Sequence, residues 1–214
     1  MNLHKIRFEY EKDGKIYNNG FGTGFFCKFI IDDKPFIALF TNNHILNSEN
    51  IKVGKKIKLE NLGKTIEITK KRKVFTNENL DYTCIEIIEE DSINSFFEID
   101  YSIFNGNLIN EEIFILQYPS NNQKLSFSSG KILNIKDNLI IHSAVTCDGS
   151  SGSPLIRRSR NNLNYIIGMH FGILKEQDFC NLATPFNNII NDIKKNLISL
   201  LQILLLIQII IKQE

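Results

Sequence analysis

At 214 residues, 43% of them hydrophobic, the chain can bury a large core and fits one domain or two small lobes, which excludes a disordered tail or a short peptide. Its 25 basic and 24 acidic residues are interspersed and leave a net charge of +1, so no global field draws it onto nucleic acid, and nucleic acid is not an expected partner.

The N-terminal stretch MNLHKIRFEYEKDGK alternates charged and apolar residues without the continuous apolar segment of a secretory signal, and the expectation is a cytoplasmic location. From Ile6 to Val145 short segments rich in Ile, Phe, Val and Thr are punctuated by turn residues about every ten positions, the mark of an antiparallel all-β fold. Lys5 to Tyr10 and Lys15 to Tyr17 flank Asp13-Gly14, a strong hairpin signal. Glycines 20, 22 and 24 then introduce a strand from Phe25 to Ile31 that turns at Asp32 to Pro35 and returns as Phe36 to Phe40. A phosphate loop would need a helix after the glycines, and a β-rich run follows instead. The returning strand delivers Thr41, Asn42, Asn43 and His44 at its end. His44 reads either as a surface loop histidine or as a catalytic side chain on a scaffolded loop.

Ile57 to Glu60 and Thr65 to Thr69 form a hairpin around Asn61 to Gly63. The basic run Lys70 to Lys73 reads as a solvated strand edge, with a nuclear-import signal as the alternative. Asp81 precedes a strand from Tyr82 to Ile88 and is either a turn residue or an anion whose value depends on what it meets. Glu89 to Asn110, containing Asn105-Gly106, reads as the joint between lobes. Strands at Ile113 to Tyr118, Leu125 to Leu133 and Leu139 to Val145 follow, the first two separated by a turn at Pro119 to Gln123. Leu155 to Arg157 pairs with Tyr165 to Phe171, and Asn181 to Thr184 closes the set. From about Phe186, Ile189, Ile190, Ile193 and Leu197 fall at helical spacing, so an amphipathic helix is expected to pack back on the body. The last stretch, LISLLQILLLIQIII, is too short to span a bilayer comfortably. It reads as a packed or self-associating helix, a membrane-surface or tail anchor, or a disordered extension.

Between Leu139 to Val145 and Leu155 to Arg157 lies CDGSSGSPL, Cys147 to Leu155. A serine between Gly149 and Gly152 sits where the backbone turns tightly and a substrate can approach, which suits a nucleophile, although Gly-Ser clusters before proline are also ordinary turns. A serine hydroxyl needs a base to take its proton, and the base needs an anion to fix its tautomer. His44, Asp81 and Ser151 supply one candidate for each role, and the backbone N–H groups of Gly149 and Ser151 would face a developing oxyanion. The four cysteines, Cys27, Cys84, Cys147 and Cys180, lack CxxC spacing and are expected as reduced, buried thiols; Cys147 and Cys180 would pair only in an oxidising compartment. His4 and His142 read as structural. With no His/Cys cluster at ligand spacing, neither a metal nor another cofactor is expected.

The chain resembles the trypsin/chymotrypsin-like serine proteases. TNNH is similar to that family's histidine motif, LDYTCIEI to its aspartate motif and GSSGSP to its nucleophile motif, in order, over about Phe21 to Phe186. The resemblance implies His44 as general base, Asp81 as orienting carboxylate and Ser151 as nucleophile. It also implies two six-stranded antiparallel β-barrels with a C-terminal α-helix: residues 1–95 carrying His44 and Asp81, residues 96–185 carrying Ser151, and a helix and apolar tail over 186–214. Ser150 stands where digestive members carry the aspartate that holds a newly released N-terminus, so the oxyanion loop should form without zymogen processing. The segment YIIGMHFG, with His170 and Gly172, and Thr146 five residues before Ser151 resemble the pocket of glutamyl endopeptidases, which implies acceptance of Glu or Gln at P1. A histidine and a hydroxyl can hydrogen-bond a carboxylate or an amide, although His170 also reads as a strand histidine satisfied by backbone. The expected partner is a protein or peptide substrate. The rival readings are a protease-like binding module with little catalysis and a membrane-attached scaffold using the tail.

Overall fold

The computed structural model describes residues 3–12, 15–99, 108–119, 124–136, 139–158, 164–174 and 180–211, and these form fourteen strands, two short 3-10 turns and one α-helix. The expected turns at Asp13-Gly14 and Asn105-Gly106, and residues 120–123 of the one after Pro119, lie outside the described residues.

The N-terminal half is built from hairpins. β1 (Leu3–Lys12) pairs with β2 (Lys15–Ile31), and β2 returns as β3 (Lys34–Thr41). Asp32 and Asp33 make that return with φ of 48° and 60°, the left-handed pair whose twist matches a two-residue hairpin. β4 (Lys56–Leu59) and β5 (Lys64–Glu67) flank a 3-10 turn at Glu60–Leu62, and β6 (Val74–Asn77) pairs with β7 (Tyr82–Glu86). The strands run β5-β4-β1-β2-β3-β7-β6, every neighbouring pair antiparallel. The glycine run, expected to precede the core strand, lies inside β2. There Gly22 passes so close to Ile45 that a Cβ would stand 3.0 Å from its side chain.

Apolar residues occupy both faces of the β2–β3 hairpin because both faces are covered. Phe25, Cys27, Phe29, Ala38 and Phe40 face a core shared with the C-terminal helix, while Phe26 and Leu39 face a second core with Leu46, Ile57, Leu59, Ile66 and Ile85. Among the described residues no ladder joins β5 to β6. The two sides of this seam are held instead by Arg72, 7% exposed, whose guanidinium donates to the Glu67 carbonyl at 3.1 Å and to the Glu86 carbonyl. The same group grips Asp91 through two oxygens at 2.7 and 3.0 Å. The basic run is therefore a turn with a buried clamp at its centre, not a solvated strand edge: the free backbone carbonyls at the ends of β5 and β7 are what draw Arg72 inward.

β8 (Phe97–Glu98) bridges the halves, pairing in parallel with β2 on one side and β13 (Asn164–Ile173) on the other. The C-terminal half is a closed six-stranded barrel. β9 (Glu112–Gln117), β10 (Ser126–Lys136), β11 (Leu139–His142), β14 (Asn181–Pro185), β13 and β12 (Pro154–Arg158) follow one another, and β12 pairs back to β9. Ile113, Ile115, Ile132, Ile140, Leu155, Ile167 and Ala183 fill it. Closure leaves this sheet without an exposed edge.

The helix α1 (Phe186–Ile211) begins directly after β14. Phe186, Ile189, Ile190, Ile193 and Leu197 enter the shared core, the face that helical spacing marked out, with Phe186 against Phe40 at 4.9 Å between ring centres. No helix among the described residues is long and apolar enough to cross a membrane.

Candidate active site

His44 sits in the turn that ends β3, and every residue of TNNH has a task there. Thr41 Oγ1 donates to the Thr23 carbonyl at 2.9 Å. Asn42 donates its side-chain N–H to the Asp81 carbonyl at 2.9 Å, while its own carbonyl takes the N–H groups of Ile45 and Leu46 and so curls the chain. Asn43 donates to Thr76 at 2.7 Å. His44 itself meets Asp81 twice: the backbone N–H donates to Oδ1 at 2.9 Å, and ring Nδ1 lies 2.7 Å from Oδ2. A carboxylate only accepts, so Nδ1 carries the hydrogen and Nε2 is left with its lone pair free to take a proton. The ring is 45% exposed and the carboxylate 19%, which leaves the imidazole open to an incoming group.

Asp81 occupies the β6–β7 turn with φ of 48°, and its N–H closes that turn on the Glu78 carbonyl at 3.2 Å. Aspartate is among the few residues that tolerate this region, and the conformation aims its carboxylate back at the His44 loop.

Ser151 lies in the loop between β11 and β12. Gly149 and Gly152, with φ of 90° and 84°, turn the chain tightly on either side of it. At Gly152 a Cβ would fall 2.0 Å from the Thr23 carbonyl oxygen and 2.6 Å from Thr41 Oγ1, so only glycine lets this turn press against the N-terminal sheet. Thr23 then fixes it. Its N–H donates to the Ser151 carbonyl at 2.8 Å, its hydroxyl donates to the Gly149 carbonyl at 2.9 Å, and the Tyr118 N–H donates to that hydroxyl at 3.1 Å. Because Thr41 binds the same Thr23 three residues before His44, Thr23 ties the serine turn to the histidine turn. Among the described residues no hydrogen bond joins Ser151 Oγ to His44, and such contacts tighten when substrate binds.

The loop's remaining backbone donors divide cleanly. Ser150 N–H bonds the Cys147 carbonyl, Gly152 N–H the His170 carbonyl and Ser153 N–H the Ser150 carbonyl, whereas those of Gly149 and Ser151 are spent on no backbone acceptor. Ser150, fully buried, accepts the Cys147 N–H at 3.0 Å with its hydroxyl and so ties its own turn.

His170 lies beside this turn on β13, its backbone bonded to Gly152 and Ser153. Its ring is buried, and burial first of all lowers its pKa to about 4; a hydrogen bond to the Leu182 backbone opposes that shift and the nearby His44 adds to it. Ring Nδ1 has no partner. Thr146 donates its hydroxyl to Asn181 Oδ1 at 2.5 Å, and Asn181 donates to the Ala144 carbonyl at 2.9 Å. A Cβ at Gly172 would meet no atom within 4 Å, so the space beside it is open. His142, fully buried with neither ring nitrogen bonded, packs edge-on to His170 at 5.6 Å between ring centres; burial and His170 lower its pKa to about 3.

None of the four cysteines is in a disulfide, and Cys147 is exposed where a buried thiol was expected. No group of His, Cys, Asp or Glu among the described residues is arranged to hold a metal ion. Sequence reasoning missed Thr23, Asn42 and Asn181. The one local signal for Thr23 is its place between two glycines.

A histidine hydrogen-bonded to an aspartate, and a serine in a glycine turn tied to the histidine turn through Thr23, stand together on a mostly β scaffold with a closed six-stranded barrel. Residues 22–169 match the trypsin-like peptidase domain, well over half of the chain, and the chain belongs to that family of serine protease hydrolases. Solved structures agree on the fold. The serine endoprotease from Yersinia pestis superposes with a TM-score of 0.63 at 16% identity, covering 91% of this chain and 62% of that one. The chain thus spans less than two thirds of that endoprotease's length. The Rv3671c protease from M. tuberculosis superposes with a TM-score of 0.59 at 16% identity in both its active and its mutant inactive form, covering 89% and 91% of this chain and 78% and 85% of those.

Proposed function

We propose that the protein is a serine endopeptidase acting through a Ser151–His44–Asp81 triad and an acyl-enzyme on protein or peptide substrates. The observation that carries the reading is the double hydrogen bond of His44 to Asp81 beside a serine turn whose Gly149 and Ser151 N–H groups bind no backbone acceptor. Ser151 Oγ attacks the scissile carbonyl carbon while His44 Nε2 takes its proton, and Asp81 stabilises the imidazolium that results. The carbonyl oxygen, now an alkoxide, receives the N–H groups of Gly149 and Ser151, where loss of one such donor typically costs about 3 to 4 kcal/mol of barrier. Collapse breaks the C–N bond, and His44 returns the proton to the leaving amine. Water then hydrolyses the ester by the same route. In this reading the site lies between an N-terminal barrel lobe over residues 1–95 and a C-terminal one over 96–185, the first sheet being completed as a second barrel across the Arg72 seam. Residues 186–214 add the helix and tail. The cytoplasm is the proposed location, with any membrane contact made through that tail.

Thr146, His170 and Gly172 form the proposed P1 pocket, accepting glutamine or glutamate. His170 is neutral above about pH 4, its N–H is engaged by Leu182, and Thr146 gives its hydrogen to Asn181. Both side chains therefore offer lone pairs, which suit the N–H groups of a glutamine amide; a carboxylate gains a donor only when His170 takes a proton. Peptide libraries profiled with wild type and Ser151→Ala test this. Cleavage should require Ser151 and favour glutamine at P1, with the glutamine-to-glutamate ratio falling as pH drops toward 4. A preference for lysine or arginine would remove Thr146 and His170 from the pocket.

A further inference from the structure

We infer that Asp192, in the second turn of α1, is a positioning residue for Asp81, so that the helix after the barrel is a working part of the site proposed above. The β6–β7 turn that carries Asp81 is bound from outside on both of its flanks. Asp192 Oδ2 accepts the Tyr82 hydroxyl at 2.6 Å and the Asn77 side-chain N–H at 3.1 Å, and Asn77 and Tyr82 are the paired residues that open and close that turn. Asn196, one helical turn further on, donates to the same oxygen at 3.2 Å. Asn77, held in this way, turns its own oxygen to the Leu80 N–H at 3.1 Å, while Thr184 at the end of β14 donates to the Leu80 carbonyl at 3.0 Å.

The residue immediately before Asp81 is thus fixed through both its N–H and its carbonyl, and the residue immediately after it through its side chain. All of these fastenings trace to Thr184 and Asp192. Asp81 needs them because its own backbone is left-handed, a conformation that persists only when its surroundings impose it. Tyr82 is fully buried, so its hydroxyl has no water to turn to if Asp192 is lost. An error of about 1 Å in the carboxylate is enough to cost a rate on the order of a hundredfold.

The test compares wild type with Asp192→Ala, Asp192→Asn, Tyr82→Phe and Asn77→Ala, all as the full chain. Asp192→Ala should lower kcat tenfold to a hundredfold with KM within about twofold. Asp192→Asn, whose amide oxygen can still accept the Tyr82 and Asn77 bonds, should restore most of the rate. The low-field proton resonance of the His44 Nδ1–H to Asp81 bond should weaken or move upfield in Asp192→Ala, and this readout stands even if the protein cleaves no peptide. Should Asp192→Ala not fold, Tyr82→Phe removes one fastening and Asn77→Ala two, its bond to Asp192 and its bond to Leu80, and both should show the same loss in smaller measure. A folded Asp192→Ala protein with wild-type kcat and an unmoved resonance overturns the inference, as do Tyr82→Phe and Asn77→Ala proteins that match wild type in both.

Discussion

Thr23 does more for the serine turn than any residue within the turn. Fully buried, it holds the Ser151 and Gly149 carbonyls with its N–H and hydroxyl. Those two bonds fix the chain on either side of Ser150, in a loop where the N–H groups of Gly149 and Ser151 are spent on no backbone acceptor. Ser150 completes the arrangement by bonding the Cys147 N–H itself, so the loop is tied by neutral hydrogen bonds where digestive relatives use a charged N-terminus. Removal of the Thr23 hydroxyl leaves the half-buried Gly149 carbonyl and the buried Tyr118 N–H without their partner, at about 1 to 3 kcal/mol. We expect Thr23→Val to lower kcat at least tenfold with little change in KM and Thr23→Ser to keep most of the rate; equal kinetics in Thr23→Val and wild type would remove the residue from this role.

At the scale of elements, what could be read in the sequence was local and periodic. The β-rich run Ile113 to Tyr118, the helical stripe Ile189, Ile190, Ile193 and Leu197, and the double aspartate at the β2–β3 turn all declare their structure within a few residues. Their places at strand ends, His44 after one strand and Asp81 before another, marked both as loop residues with chemistry to offer. Thr23 gave no such sign, since the Gly149 carbonyl it binds lies 126 positions away. The short strands β6 and β8 were missed because four and two residues carry too little pattern to separate from a loop. Arg72 was misread for a related reason: a KKRK run looks solvated until the carbonyls of Glu67 and Glu86 are known to lie on either side of it. Since a buried ion pair that loses one partner typically costs about 3 to 5 kcal/mol, Arg72→Ala should be strongly destabilised and Lys71→Ala, on the exposed neighbour, nearly neutral. Chemical denaturation of both variants reads this directly, and similar midpoints would contradict the clamp.

The whole molecule should answer to acid through its buried histidines. In the unfolded chain His142 and His170 take up protons near pH 6.5, whereas in the fold they stay neutral down to about 3 and about 4. The unfolded state then binds more protons across that window, so their contribution to stability is complete above pH 6.5 and is lost as the pH falls through it toward 4. Each group steepens the loss by up to about 1.4 kcal/mol per pH unit. Urea midpoints at pH 7.5 and 5.5 should therefore diverge in wild type. They should diverge about half as much in His142→Leu, which removes two unbonded nitrogens and should fold at least as well at pH 7.5. Parallel pH dependence in the two proteins would place the acid sensitivity elsewhere.

The same whole-molecule view sets the decisive test, because the serine turn, the histidine turn and the aspartate turn come from distant parts of the chain and the proposed mechanism requires the fold to present them together. A fluorophosphonate probe reacts with a serine hydroxyl that a neighbouring base activates. Labelling of the folded protein should be stoichiometric, map by peptide mass to Ser151 alone, and vanish in both Ser151→Ala and His44→Ala. A folded wild-type protein that takes no label, or that carries it on another serine, would contradict the account.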